Sequence, residues 1–212
     1  MKRASILAAF AAAGLFTSNP LAAEDSHVVR FELVPPNAKI VNCLRDPSSS
    51  EQPSASVTVV RGDLNDTLHL HLEHFKPGLA FDMFTIQRSN LLSDRTPDPN
   101  FKNFGLAWYQ SDLEVGKKGK GDVEIKTILL DQIFGFDPDV ALPPTNTFHI
   151  GFWFNDPNDA VACGFNPAKP TPFNGEHKAG PLAMISVPDA RTGLGPLCTN
   201  PEQSGSTFTC NP

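Results

Sequence analysis

The stretch "TLHLHLEHF", residues 67–75, holds three of the chain's six histidines. In an extended strand, residues two apart project to the same side and recur about 6.5 to 7 Å apart. Thr67, His69, His71 and Glu73 therefore share one face, and Leu68, Leu70 and Leu72 share the other. Two imidazoles in this H-x-H spacing can converge on one ion, because zinc or copper sits roughly 2.0 to 2.1 Å from each ligating nitrogen. Glu73 is placed to orient or complete such a pair. A third ligand must come from elsewhere, and His149 is the candidate. It lies in "TFHIGFWF" on the side of Thr147 and Trp153, opposite Phe148, Ile150, Phe152 and Phe154. The three histidines meet only if their strands are neighbours in one sheet. His177, in a long connection, and His27 are further donors. The competing reading is that Thr67, His69, His71 and Glu73 form the wetted face of an amphipathic strand, a common place for histidine.

Aromatic residues point to a different class of function. Trp108, Tyr109 and Trp153, with Phe152 and Phe154, can present a ring platform to a sugar or peptide, since Trp108 and Trp153 alternate with polar neighbours. Against this stands the large apolar area of a tryptophan, which favours burial between sheets. The chain has no G-x-S-x-G elbow, P-loop, H-E-x-x-H or G-x-G-x-x-G. "NDPNDA" and "SDRTPDPN" lack the alternation and central glycine of an EF-hand calcium loop. The pairs Asp112 with Glu114 and Asp122 with Glu124 have the same-face spacing of any exposed strand, a weak basis for a glycosidase acid and base. No catalytic residue is expected. Over His69 and His71 alone, the H-x-H strand resembles the copper-site strand of copper-zinc superoxide dismutases, which are exported β-sandwiches with a disulfide. Those enzymes continue into a loop with several more histidines and an aspartate. Here no histidine occurs between His74 and His149, so the resemblance implies neither a second metal site nor dismutase activity.

These side chains are positioned by a framework that is itself readable. Lys2 and Arg3 precede an apolar run from Ile6 to Phe16 and a small-residue exit at Leu21-Ala22-Ala23, the layout of a secretory signal peptide over residues 1–23. The run is too short to cross a bilayer, which takes roughly 20 residues, and no later stretch is apolar for that length. A soluble, secreted or periplasmic protein beginning near Glu24 is expected. The formal net charge of −6 becomes two units more negative once Lys2 and Arg3 leave. A domain so acidic has no electrostatic footprint for nucleic acid or anionic lipid. The four cysteines all follow the signal, and an oxidising compartment favours two disulfides. The preferred pairing is Cys43 with Cys163 and Cys198 with Cys210, among three that the count allows. No pair has C-x-x-C spacing, which counts against structural zinc.

Period-two alternation dominates the chain. It is found at 28–34, 56–61, 67–75, 80–87, 105–115, 122–130, 147–154 and 182–187, with turn chemistry such as Lys76-Pro77-Gly78 and Leu142-Pro143-Pro144 between. "TILLDQIFGF", 127–136, is the one stretch weighed as a short helix. Eight short strands and twenty prolines predict an all-β domain over 24–192, two packed antiparallel sheets in an immunoglobulin-like or jelly-roll sandwich. Residues 193–212 predict an irregular tail held by its cysteines. Two long connections, 88–104 and 155–180, are where loop length suggests a functional site. The expectation is an exported binding or structural module, with a carbohydrate or protein ligand and no cofactor. The alternative is a copper or zinc protein built on His69, His71, His149 and Glu73.

Overall fold

The computed structural model describes residues 28–127, 145–171, 178–198 and 200–211. The expected signal peptide and the segment weighed as a helix, from Ile128 on, lie outside them. All eight expected strands are present: β1 (Val28–Val34), β2 (Ser54–Val60), β3 (Asp66–Glu73), β4 (Ala80–Ile86), β5 (Ala107–Glu114), β6 (Gly121–Thr127), β7 (His149–Phe154) and β8 (Leu182–Ser186). They form one antiparallel sheet in the order β5-β4-β7-β8-β1-β2-β3-β6. Its two outermost strands, β5 and β6, are consecutive in the chain and lie close together, so the sheet curls until it is nearly a closed barrel.

The two-sheet sandwich is therefore not confirmed. Strand β1 hydrogen-bonds to β2 along its length and also to β8, through Leu33 opposite Ser186 and Val34 opposite Ile185. That short seam joins what would otherwise be two four-stranded groups. A sandwich and a barrel both need alternate residues to point inward, so the periodicity does not separate them.

The interior is built from the inward positions of every strand. Leu68, Leu70 and Leu72 of β3 are at most 1 % exposed, as the alternation requires. Facing them is an aromatic cluster, with Phe81 and Phe152 ring centres 4.8 Å apart and Phe81 and Phe154 5.3 Å apart. Tilted and edge-on ring pairs of this kind add to the gain from burial alone.

Three elements were not anticipated. A helix, α1 (Ala38–Leu44), follows Pro35-Pro36; the Asn37 side chain accepts the amides of Lys39 and Ile40 at 3.0 and 3.2 Å, the usual way to cap a helix start. Its Ile40, Cys43 and Leu44 are spaced to share one helical side and join the core. Within the second long connection a 3₁₀ helix runs from Pro157 to Cys163. The Cys43–Cys163 disulfide ties the two helices together, as paired above. The tail is not irregular as expected: β9 (Asn200–Ser204) and β10 (Thr207–Asn211) make a hairpin beside the Cys198–Cys210 disulfide. Leu197 exchanges two backbone hydrogen bonds with Phe148, at 3.1 and 3.2 Å, which attaches the tail to the barrel.

Candidate functional site

Strand β3 presents His69, His71 and Glu73 outward, and its register with β6 sets Glu124 opposite His69 and Asp122 opposite His71. The His71 Nδ1–H donates to Asp122 Oδ1 at 2.5 Å, and its Nε2 lies 3.4 Å from Glu73 Oε1. His69 Nδ1 is 3.4 Å from Glu124 Oε2. Lys120 Nζ bonds the same Glu73 oxygen at 2.5 Å. With a carboxylate at each nitrogen, His71 is arranged to hold a proton. The hydrogen bond it donates to Asp122 raises its pKa above the ordinary imidazole value, while Lys120 holds Glu73 below the usual carboxylate range.

This face does not acquire its expected third ligand. In the sheet, β7 is separated from β3 by β8, β1 and β2, so His149 is remote from His69 and His71. Among the described residues no three His, Cys, Asp or Glu side chains converge to hold a metal ion. His27 and His177 lie outside the described residues.

The three platform rings fall into different surroundings. Trp153 is 4 % exposed, wedged edge-on between Phe84 and Phe104 on the outer side of the sheet. Trp108 packs its ring against Phe148 with the inner core. Tyr109, next along β5, points the opposite way, meets Phe84 edge-on and donates its hydroxyl to Asp112 at 2.8 Å. That bond and desolvation of the phenol push its pKa up to about 12, desolvation being the larger cause. Tyr109 alone is broadly exposed, and one ring does not make a flat platform.

His149 has a different setting from the one its alternation suggested. The outer side of β4, β7 and β8 is covered by residues 87–106 and 187–197, and beneath them lies a cleft of about 500 Å³. That size is within the range of small-molecule sites. His149 forms part of its floor and is 3 % exposed. Its Nδ1 lies 3.1 Å from the Ser186 carbonyl and 2.9 Å from the Ser186 hydroxyl. A carbonyl only accepts, so Nδ1 carries the hydrogen and Nε2 keeps its lone pair. Burial pushes the His149 pKa down to about 4, which leaves the ring neutral at neutral pH.

That Nε2 has no hydrogen-bond partner among the described residues. Gly195 runs close beside it: a Cβ there would come 2.9 Å from Nε2 and 2.3 Å from the Phe148 carbonyl oxygen. Around it are three more buried polar side chains, Gln87, Ser89 and Thr147, all at most 9 % exposed. Gln87 Oε1 accepts the Leu106 amide at 2.8 Å, and the Thr147 hydroxyl donates to the Gly195 carbonyl at 3.3 Å. Two other hollows, of about 430 and 620 Å³, have no buried polar side chain in their walls. The long connection 88–104 does line the cleft, as its length suggested. The other wall, 187–195, carries the turn residues Pro188, Asp189 and Gly193, which are a signal for a loop but not for where it docks.

Comparison with known proteins returned no match: neither a family model, nor a curated protein, nor a solved structure resembles this chain.

Proposed function

We propose that this chain is an exported binding module without catalytic machinery of its own, and that the cleft over His149 is its ligand seat. The observation that carries the reading is the unpaired Nε2 lone pair of the otherwise buried His149, facing the cleft beside Gln87, Ser89 and Thr147. Among the described residues Asn90 Oδ1 is the side-chain polar atom that is fully buried without a partner, so His149 Nε2 opens onto the cleft, where a ligand or ordered water can satisfy it. The rigid fold supports it further. His149 is held at the start of β7, every residue of which is buried, and a side chain fixed on a regular element loses little freedom on binding. Two disulfides suit work in an oxidising compartment. Among the described residues no helix is long and apolar enough to cross a membrane.

A fragment screen read by two-dimensional NMR tests the seat. Bound fragments are expected to shift Ser89, Phe101, Thr147 and the His149 ring, and Gly195→Ala is expected to abolish those shifts because its methyl intrudes on the floor. Shifts confined to the His69 and His71 face, or undiminished by Gly195→Ala in a folded variant, would reject it.

A further inference from the structure

We infer that the cleft takes an uncharged, polyhydroxylated ligand, a mono- or disaccharide in chemical class; the inference rests on the cleft being a binding seat. Three features of its walls select that chemistry. The first is hydrogen-bond polarity. His149 Nε2 accepts and has no proton to give. The Ser89 hydroxyl oxygen accepts the Leu91 amide at 3.2 Å, which leaves its own hydrogen to donate. The seat thus offers an acceptor and a donor, and a hydroxyl is the common group that answers both through one atom.

The second is charge. The cleft is lined by one cationic side chain, Arg88, and two carboxylates, Asp98 and Asp189. The carboxylates are already engaged in their own turns. Asp98 accepts the Asn100 amide at 2.8 Å. Asp189 accepts the Arg191 and Thr192 amides at 3.0 and 2.8 Å and the Thr192 hydroxyl at 2.9 Å. An anionic ligand would meet two negative groups against one positive, and a cationic ligand would meet carboxylates that are partly spent, beside a guanidinium. His149 adds no charge at neutral pH. The lining therefore favours neither sign.

The third is the apolar wall. The Phe101 ring and Pro188 line the same cleft as these polar groups. A pyranose has this mixed character, with a C–H face for the apolar wall and hydroxyls around its rim.

Calorimetric titration of the full, disulfide-intact chain with neutral mono- and disaccharides, alongside the matching uronic acids and amino sugars, tests the inference. Neutral sugars are expected to bind. Ser89→Ala is expected to weaken them about 3- to 10-fold, the effect of one neutral hydrogen bond, and His149→Phe to weaken them at least as much. Thermal unfolding of each variant shows that it remains folded. Neutral sugars that bind equally well to both folded variants overturn the inference. So does binding of charged sugars alone; if NMR shifts then still fall in the cleft, the ligand class is wrong and the seat stands. No sugar bound and no shift in the cleft with any fragment reject the seat and the ligand class together.

Discussion

The barrel has two unlike halves. In β2 and β3 one side of each strand is buried and the other is wet, and in β6 the inner side is partly buried: β3 alternates Leu68, Leu70 and Leu72 inside with His69, His71 and Glu73 outside. In β7 and β8 both sides are buried, and in β4 all but Ala80. There the outward residues Phe84, Trp153, Leu182 and Ile185 form a second apolar layer with Leu91, roofed by the connection through Phe104. The same strand geometry thus makes a solvated surface on one half and a covered, partly polar recess on the other. Each half has a histidine tuned to its surroundings, in opposite directions: carboxylates raise His71, burial lowers His149.

The largest effect should come from testing whether the outer layer is a true core. Phe152→Ala on the inner side and Trp153→Ala on the outer side are each expected to cost about 3 to 5 kcal/mol in denaturant unfolding. A Trp153 variant that loses less than about 1 kcal/mol would make the outer layer a loose cover, and the contrast between the halves would fail.

Acid should separate the two histidines next. The folded-state pKa of His149 is pushed down to about 4 from an ordinary 6.5, so the unfolded chain binds the proton more readily between those values. The stabilisation from the neutral ring is complete above about pH 6.5 and is lost as the pH falls towards 4, up to roughly 3 kcal/mol. His149→Phe should remove that part of the pH dependence, measured as the difference between wild-type and variant unfolding free energies at pH 7 and pH 4.5. An unchanged slope would show that the ring is not held neutral.

The smallest effect lies on the open half. His71 is raised, so its contribution is present below the ordinary value and lost as the pH climbs through the folded one. Asp122→Asn is expected to bring the His71 pKa back towards its ordinary value in an NMR titration. Because both partners are well exposed, stability should change by under about 1 kcal/mol. A larger loss would mean that this face is part of the support of the barrel.

The open half was legible from its residues because alternation reports directly on a strand with one wet side. The eight strands and the inward leucines follow from that logic, and the cysteine count gave two disulfides, though it left three pairings open and the structure supplies the one preferred. The closed half was harder. His149 shares a side with Thr147 and Trp153, which reads as polar and exposed, whereas a distant connection covers it; no local pattern encodes that cover. Whether the strands close into one sheet depends on the β1 and β8 pairing, a contact between segments about 150 residues apart in sequence, a separation over which periodicity is silent. Helix α1 did leave a signal, Asn37 followed by Ile40, Cys43 and Leu44, but seven residues bounded by prolines are easily taken for a connection.

The β1 and β8 seam has two registered pairs, whereas β2 and β3 have seven. Such a narrow join is the natural place for the barrel to breathe, and amide exchange should begin there before it reaches the ladders on either side. Ser186 sits in that join and also grips the His149 ring, so opening the seam would release the imidazole to turn. Fluctuation at the weakest ladder and occupancy of the recess would then be thermodynamically linked: whatever fills the recess should slow exchange at Leu33 and Val34, on a strand it never touches.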